Sequence, residues 1–324
     1  MGTMRREFII LSVVAAVVVA AFGVTVLALN ATLYSAGGFV RGYLDSLVRH
    51  DADGALELAG AIPAAGDASR DLLVAGALPQ LGDLELVSDT ADAQGTHRVV
   101  YSFTSEGRSG QSTFTVRQQG TFLGLFTTWA FESSPLAVLQ ITPQHGTGFT
   151  ANGVQLDAAE QDRPSPYLVF APGTYELSAD SLYLQAKTVS VTASQPGAAV
   201  IGTVILEPTD AFTAQVQKEV NGYLDECATQ TVLLPTGCPF GEQVSNRIVT
   251  TPAWSIARYP KVTLQPGSDP GTWLMPATPA AAHLVVDVRS LFDGSVSTFD
   301  EDVQFSSSFV VSFLPDDQLL IRGL

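Results

Sequence analysis

Two cysteines and four histidines are the whole supply of sulfur and imidazole ligands in this chain of 324 residues. Cys227 and Cys238 lie close in sequence, with no histidine or further cysteine near enough to complete a tetrahedral metal set. A C-x-x-C redox motif is absent. In an oxidising compartment such a lone pair reads as a disulfide. Closing so short a loop stabilises by about 3 kcal/mol in chain-entropy terms. G-x-S-x-G, H-E-x-x-H and a phosphate-cradling glycine loop followed by lysine are all missing. The expectation is a structural staple at Cys227 and Cys238, with no catalytic residue, no cofactor and no metal.

Whether that pair oxidises depends on where the chain goes, and residues 8–29 decide this. The run FIILSVVAAVVVAAFGVTVLAL carries no charge, and only Ser12, Gly23 and Thr25 interrupt it. About 20 such residues at 1.5 Å rise cross a hydrocarbon core of roughly 30 Å. Arg5 and Arg6 precede the run and no basic cluster follows closely. By the positive-inside rule residues 1–7 stay in the cytoplasm, 8–29 form a single-pass anchor in the plasma membrane, and the remainder is extracytoplasmic. The rival reading is a cleaved signal peptide, with Val26-Leu27-Ala28 as its cleavage region. Signal h-regions run about 7–15 residues, shorter than this one, which favours retention. Both readings export the rest of the chain.

The formal net charge of −16 falls almost wholly on that exported part. It argues against nucleic acid and against anionic lipid headgroups as partners. Solubility is its simplest explanation. Lys187, Lys218 and Lys261 are the only lysines, and Ala, Gly and Val abound. That bias suggests a GC-rich bacterial source.

The elements that follow the anchor read as α+β. Phe39, Val40, Tyr43, Leu44, Leu47 and Val48 form a helical stripe, and Asp51 caps a second short helix beginning near Ala55. Pro63 and Gly66 interrupt it, and a third helix is expected from Asp67 as N-cap to Leu78. Strands are expected over 84–87, 99–103 and 113–117, with a hairpin loop at 105–111. A longer strand over 121–131 carries Phe122, Phe126, Trp129 and Phe131, with Gly124 as a bulge or bend.

Residues 133–152 read as a linker with a short strand at 138–141. From 153 to 207 only short strands are expected, over 167–170, 174–177, 182–186, 188–192 and 200–206, in a small all-β sandwich. Residues 209–227 are helical again, with Phe212, Val216, Val220, Tyr223 and Leu224 on one stripe. Strands then follow over 254–258, 261–264, 272–275, 283–289, 303–314 and 319–322.

The two α+β segments resemble each other. Val40-Arg-Gly-Tyr-Leu-Asp45 matches Val220-Asn-Gly-Tyr-Leu-Asp225, and His97-Arg-Val-Val100 matches His283-Leu-Val-Val286, each followed by a glycine turn at Gly107 or Gly294. In-register matches of this kind read as an internal duplication. It would make Tyr43 equivalent to Tyr223 in the two cores, and Val99 equivalent to Val285.

The run from Tyr43 to Leu58, followed by a bent sheet, resembles NTF2-like cone domains, especially the membrane-tethered versions exported by actinobacteria. The stretch from Asn152-Gly153 through Phe170-Ala-Pro-Gly-Thr-Tyr175 to Val191 resembles small PEGA-like β-domains. Anchor, cone and β modules together resemble TcaA/YvbJ-type envelope proteins, without the cytoplasmic zinc ribbon common there. The resemblance implies an N-terminal transmembrane helix and two NTF2-like cone domains, over 32–135 and 209–324, flanking a small all-β sandwich domain over 136–208.

NTF2-like enzymes place Tyr, Asp or His inside the cone as acid–base groups. Here Tyr101, His97 and Asp45 could serve in the first cone, and His283 and Asp287 in the second. Each also has an ordinary reading, at a strand start or on a solvent face. The aromatics of 122–131, with Trp254 and Trp273, either line a pocket or fill the core. The leading expectation is a non-enzymatic extracytoplasmic protein that binds a protein or cell-wall component. The alternative is a small-molecule binder or enzyme using a cone interior, which would need convergent polar groups around an open cavity.

Overall fold

The computed structural model describes residues 2–62, 66–315 and 318–324, giving only the backbone for 2–9. Pro63, expected to break the second helix, lies outside them. The chain is α+β: one apolar N-terminal helix followed by units that are mostly β-sheet. Helix α1 spans Gly2–Ala31, and its segment Ile10–Ala31 is long and apolar enough to cross a membrane. None of that segment is buried by the rest of the chain. Its polar side chains bond inside the helix: Thr25 Oγ1 donates to the Ala21 carbonyl (2.9 Å) and Asn30 Nδ2 to the Val26 carbonyl (3.1 Å).

Ser35 opens the next helix, its Oγ accepting from Gly38 N at 2.9 Å. Helix α2 (Ala36–Val48) buries Val40, Tyr43, Leu44 and Leu47 completely, the core of the expected stripe. Helix α3 (Ala52–Ala59) is capped by Asp51, whose Oδ1 accepts from Gly54 N. The helix expected over 67–78 does not form; only a 3-10 turn at Ala75–Ala77 remains. The cause is tertiary. Ser69 N donates to the Pro166 carbonyl (2.9 Å) and the Ser69 carbonyl accepts from Leu168 N (2.8 Å), so its backbone is spent on a distant strand.

Strands β1 (Gly82–Ala91), β2 (Thr96–Ser105), β3 (Arg108–Phe122) and β4 (Phe126–Phe131) follow as an antiparallel meander in chain order. Val99 and Tyr101 on β2, with Phe114 and Val116 on β3, alternate into a core shared with Tyr43 and Leu47. The expected single strand over 121–131 is instead a hairpin. Leu123 and Gly124 both take positive φ (53° and 68°), and Leu125 N closes the turn on the Phe122 carbonyl at 3.1 Å. Gly124 is thus a turn residue, and the register shift lies between Gln118 and Gly120.

Residues 133–152 are no linker. Strand β5 (Leu136–Gln144) runs between two partners with Leu139 and Ile141 fully buried, and β6 (Gly148–Ala151) follows. Polar Gln140 and Thr142 alternate with the buried positions, so the strand expected over 138–141 forms and extends at both ends into what composition marked as linker. Then come β7 (Val154–Asp157), β8 (Ser165–Phe170), β9 (Gly173–Asp180), β10 (Leu184–Ala193), β11 (Ala199–Ile205) and β12 (Glu207–Pro208). They form a three-stranded sheet, β11-β5-β8, and a five-stranded sheet, β12-β10-β9-β6-β7. Leu139, Phe149, Tyr167, Leu177 and Val204, drawn from both sheets, share one buried cluster. The strands expected over 182–186 and 188–192 are one strand, β10, with a register shift between Ala186 and Val189.

Thr209 caps α4 (Asp210–Ala228), its Oγ1 accepting from Phe212 N at 3.1 Å. Phe212, Val216, Val220 and Leu224 are buried with Trp254, Trp273, Met275 and Leu284. The sheet beneath comprises β13 (Arg247–Ile248), β14 (Ala253–Arg258), β15 (Gln265–Pro266), β16 (Thr272–Arg289), β17 (Val296–Phe313) and β18 (Leu319–Gly323). Its spine is β13-β16-β17-β18, with β14 and β15 also pairing along β16. The expected strand over 261–264 is irregular backbone. Those expected over 272–275 and 283–289 are one strand, because a register shift between Met275 and Thr278 accommodates Pro276.

Tyr43 ties the first unit to the next. Its hydroxyl donates to the Ala171 carbonyl (3.0 Å) and towards that of Pro135 (3.3 Å), and its ring meets Phe131 edge-on. Tyr43→Ala should cost about 3–5 kcal/mol, as for a large core aromatic. Tyr43→Phe should cost about 1–3 kcal/mol, since the Ala171 carbonyl loses its donor. Denaturant titration followed by tryptophan fluorescence measures both, and a cost near zero for Tyr43→Phe would deny the hydroxyl its role.

Candidate functional site

The first group of titratable residues gathers at the start of α2. His97 Nδ1 lies 2.6 Å from Asp89 Oδ1, while Asp89 Oδ2 accepts from Gly37 N at 3.1 Å. Tyr101 donates to the Gly37 carbonyl at 3.0 Å, and Trp129 meets the His97 ring edge-on. Burial raises the Tyr101 pKa, so its phenol keeps its proton. Asp45 stands apart from this group, 2.8 Å from Arg41 Nε. His97 and Tyr101 thus come together, joined by Asp89, which sequence reasoning passed over. Tyr101 and both Asp89 oxygens are already bonded, which suits a fastening better than an open acid–base site.

The second group lies on an open face. His283 on β16 places Nδ1 2.8 Å from Asp302 and Nε2 3.0 Å from Asp300, both on β17. The hydrogen bond to Asp302 raises its pKa, desolvation opposes that, and the negative charges of Asp300 and Asp302 add to the rise. Asp287 Oδ1 accepts from Thr298 Oγ1 at 2.7 Å. The expected equivalence of the two His-rich matches breaks here. Val99 is fully buried on the face that also carries Tyr101, whereas Val285 is 37% exposed and its neighbours Leu284 and Val286 are buried. The letters align, but the pleat is one residue out of phase, so the matched side chains face opposite ways. Tyr223 departs from Tyr43 as well: it is only half-buried, and its hydroxyl donates to the Gly237 carbonyl.

Most of the aromatics fill cores. Phe131 packs on Phe39 and Tyr43, Trp254 on Phe240, and Trp273 against Phe212. Trp129 Nε1 donates to the Tyr34 carbonyl and Trp254 Nε1 to that of Val232, both at 2.8 Å. Phe122 is the exception, 55% exposed.

A hollow of about 500 Å³ opens elsewhere, between His145–Gly148, Glu160–Gln161 and Gly271. Gln161 Oε1 accepts from Gly271 N at 2.9 Å across it, and His145 Nδ1 approaches the Leu206 carbonyl. Among the described residues His145 and Glu160 are the ionisable groups that line it, too few for a convergent polar constellation. Among the described residues no group of three His, Cys, Asp or Glu could hold a metal ion. Cys227 and Cys238 are joined in a disulfide with their Cα atoms 5.8 Å apart, fastening the end of α4 to the following turn.

The far end of the β16–β17 ribbon is different in kind. Leu291 is 74% and Phe292 99% exposed, with Val296, Ile248 and Val249 also exposed nearby. The turn holding them is well bonded. Ser290 Oγ accepts from Phe292 N (3.2 Å) and Asp293 Oδ1 from Ser295 N and Oγ (3.1 and 2.8 Å), while Gly294 takes φ 76°. The bonds from Ser295 hold the Asp293 carboxyl below its usual pKa. A tight polar turn therefore presents two apolar side chains to solvent. The legible signal was Leu291-Phe292 directly before Asp293-Gly294, where turns ordinarily carry polar residues.

No protein family, no curated protein and no solved structure matches the chain.

Because the His283 pKa is raised, its pairing with Asp302 stabilises fully below the free histidine value of about 6.5 and is lost as pH rises through the folded-state value. Asp302→Asn should lower the NMR titration midpoint of His283 and flatten the stability loss above that range. An unchanged midpoint would mean that Asp302 does not set it.

Proposed function

We propose that this chain is a single-pass membrane protein, N-terminus in the cytoplasm, whose extracytoplasmic units bind a protein or cell-wall component without catalysis. Support for the location comes from the uncovered apolar helix α1 and from a disulfide, which suits an oxidising compartment. The observation that carries the binding role is the ribbon tip, where Leu291 and Phe292 stand in water on a firmly bonded turn. Exposed apolar groups held this rigidly lose little entropy on docking.

The finer architecture belongs to the same reading: NTF2-like cones over 32–135 and 209–324 around a PEGA-like sandwich over 136–208, as in the TcaA/YvbJ-type envelope proteins of actinobacteria. Helices precede a meandering or ribbon sheet in both outer segments, and the middle segment buries one core between its two sheets. The out-of-phase histidine strands weigh against a close duplication. A small-molecule or enzymatic role is less well supported, since the hollow near His145 lies away from the Tyr101 and His283 groups.

Two measurements test this. The intact mass of the membrane-extracted protein should include residues 5–29; a mature N-terminus near Leu29 or Thr32 would refute the anchor. A photo-crosslinker replacing Phe292 in whole cells should yield a discrete adduct that the same group at Ile201, also exposed, does not. Indistinguishable patterns from the two positions would remove the ribbon tip as the docking surface.

A further inference from the structure

The tip of the β3–β4 hairpin is a second exposed apolar turn, and it stands beside the end of α1. Phe122 is 55%, Leu123 74% and Leu125 41% exposed, and Leu33, just past α1, is 70% exposed. No charge occurs between Arg117 and Glu132, nor anywhere from Phe8 to Val40. Two uncharged stretches, far apart in sequence, are therefore brought to one place.

The bonds that bring them there are specific. Asn30, in the last turn of α1, donates from Nδ2 to the Leu125 carbonyl (2.8 Å) and accepts at Oδ1 from Thr127 N (2.9 Å). A side-chain amide thus pairs with the edge strand β4 as another strand would. Tyr34 stacks on Phe126 with centroids 4.4 Å apart, and its carbonyl takes the Trp129 indole N–H. The hairpin tip cannot drift from the helix end without breaking these contacts.

Depth follows from length. The apolar segment Ile10–Ala31 has 22 residues. At 1.5 Å per residue that is about 33 Å, so its end reaches the boundary of a hydrocarbon core of roughly 30 Å. Leu123 lies two residues from the Asn30 contact, at most about 7 Å along a strand. That places it within the interfacial layer, where apolar side chains bury about 5–10 Å into the headgroup–acyl boundary. Tyr34 and Trp129 sit where aromatic belts form. The turn's backbone is closed on itself by Leu125 N and the Phe122 carbonyl, as a lipid contact requires.

We propose that residues 122–125 insert into the outer leaflet of the bilayer that α1 crosses, forming a second membrane contact that fixes the tilt of the first sheet on the surface. The contact is apolar rather than electrostatic, because the uncharged tip offers no cation to headgroups and the acidic chain is repelled by anionic ones. This rests on the anchoring reading above.

The test places an environment-sensitive fluorophore on a single introduced cysteine in the full chain, Cys227 and Cys238 being held in their disulfide. The chain is reconstituted into phosphatidylcholine vesicles containing shallow spin-labelled lipid or, for the label within α1, deep spin-labelled lipid. The labelled variants are Leu123→Cys, Leu125→Cys, Phe22→Cys within α1, and Ile201→Cys on β11. The proposal expects labels at 123 and 125 to be blue-shifted and to lose most of their emission to the quencher, with the label at 201 unaffected. Exchanging part of the phosphatidylcholine for phosphatidylglycerol should not strengthen the quenching at 123 or 125, and a gain there would overturn the apolar character of the contact. Quenching at 22 with none at 123 or 125 would overturn the second contact and leave the anchor standing. No quenching at 22 would overturn the anchor and the tip with it. Far-ultraviolet circular dichroism identical to the unsubstituted protein, in every variant, keeps misfolding out of the comparison.

Discussion

The carboxamide of Asn30 sets how the first sheet stands on its helix. An apolar helix ending in a free coil would leave the following units to swing. Here the last turn supplies a donor and an acceptor that fit the free edge of β4, and Tyr34 and Trp129 close the joint from the other side. The same bonds cover a strand edge that would otherwise offer unpaired amides to another chain. One residue thereby joins the two ends of a 95-residue interval, from helix end to hairpin.

From that joint the constraint passes along the chain through hydrogen bonds between units. The Tyr43 hydroxyl reaches the Ala171 carbonyl, and Ser105 Oγ accepts from Thr174 N at 3.1 Å. Gln195 clasps β3 with both ends of its amide, accepting from Thr113 N and donating to the Gln111 carbonyl. Leu136, Leu168 and Phe170 come from strands of the middle unit yet are buried in the first core. Such shared cores restrict relative motion more than a flexible connection would. They also explain why strand β5 extends well beyond 138–141: Leu136 fills the first core and Leu139 and Ile141 the next.

What the sequence made legible was local. The stripe of α2, the Thr209 cap with its stripe Phe212, Val216, Val220 and Leu224, and the hairpin at 105–111 each depend on residues a few positions apart. The disulfide needed only the compartment and two cysteines. What failed depended on distant partners. Ser69 gave up a helix to pair near Pro166, and the strand expected over 272–275 continues past Pro276 because β17 pairs with it beyond that residue. The phase of β16 was invisible for the same reason: which face of His283-Leu-Val-Val286 is buried depends on α4 and the rest of the sheet. Within the candidate sites, His97 and Tyr101 were found but Asp89 was not, and Leu291-Phe292 was passed over because its turn was read for its glycine alone.

The charge distribution gives these scattered observations a common logic. A formal charge of −16 disfavours contact of most of the surface with anionic lipid and phosphate polymers. Contacts that need closeness must then use patches from which charge has been withheld. The turn at 122–125, at the end of α1, is wholly of that kind; the turn at Leu291-Phe292, at the end of the β16–β17 ribbon, keeps one carboxylate beside it, Asp293, which bonds back into its own turn. The first sits against the apolar helix through bonds already made, so on the reading proposed above its partner is the medium around that helix. The second has no apolar helix beside it and projects from an acidic ribbon carrying Asp300, Glu301 and Asp302. Acidic flanks disfavour the same anionic surface and favour a partner with basic groups around an apolar pocket. On the readings proposed above, the two turns differ in partner through their surroundings rather than through their own apolar residues, which are much alike.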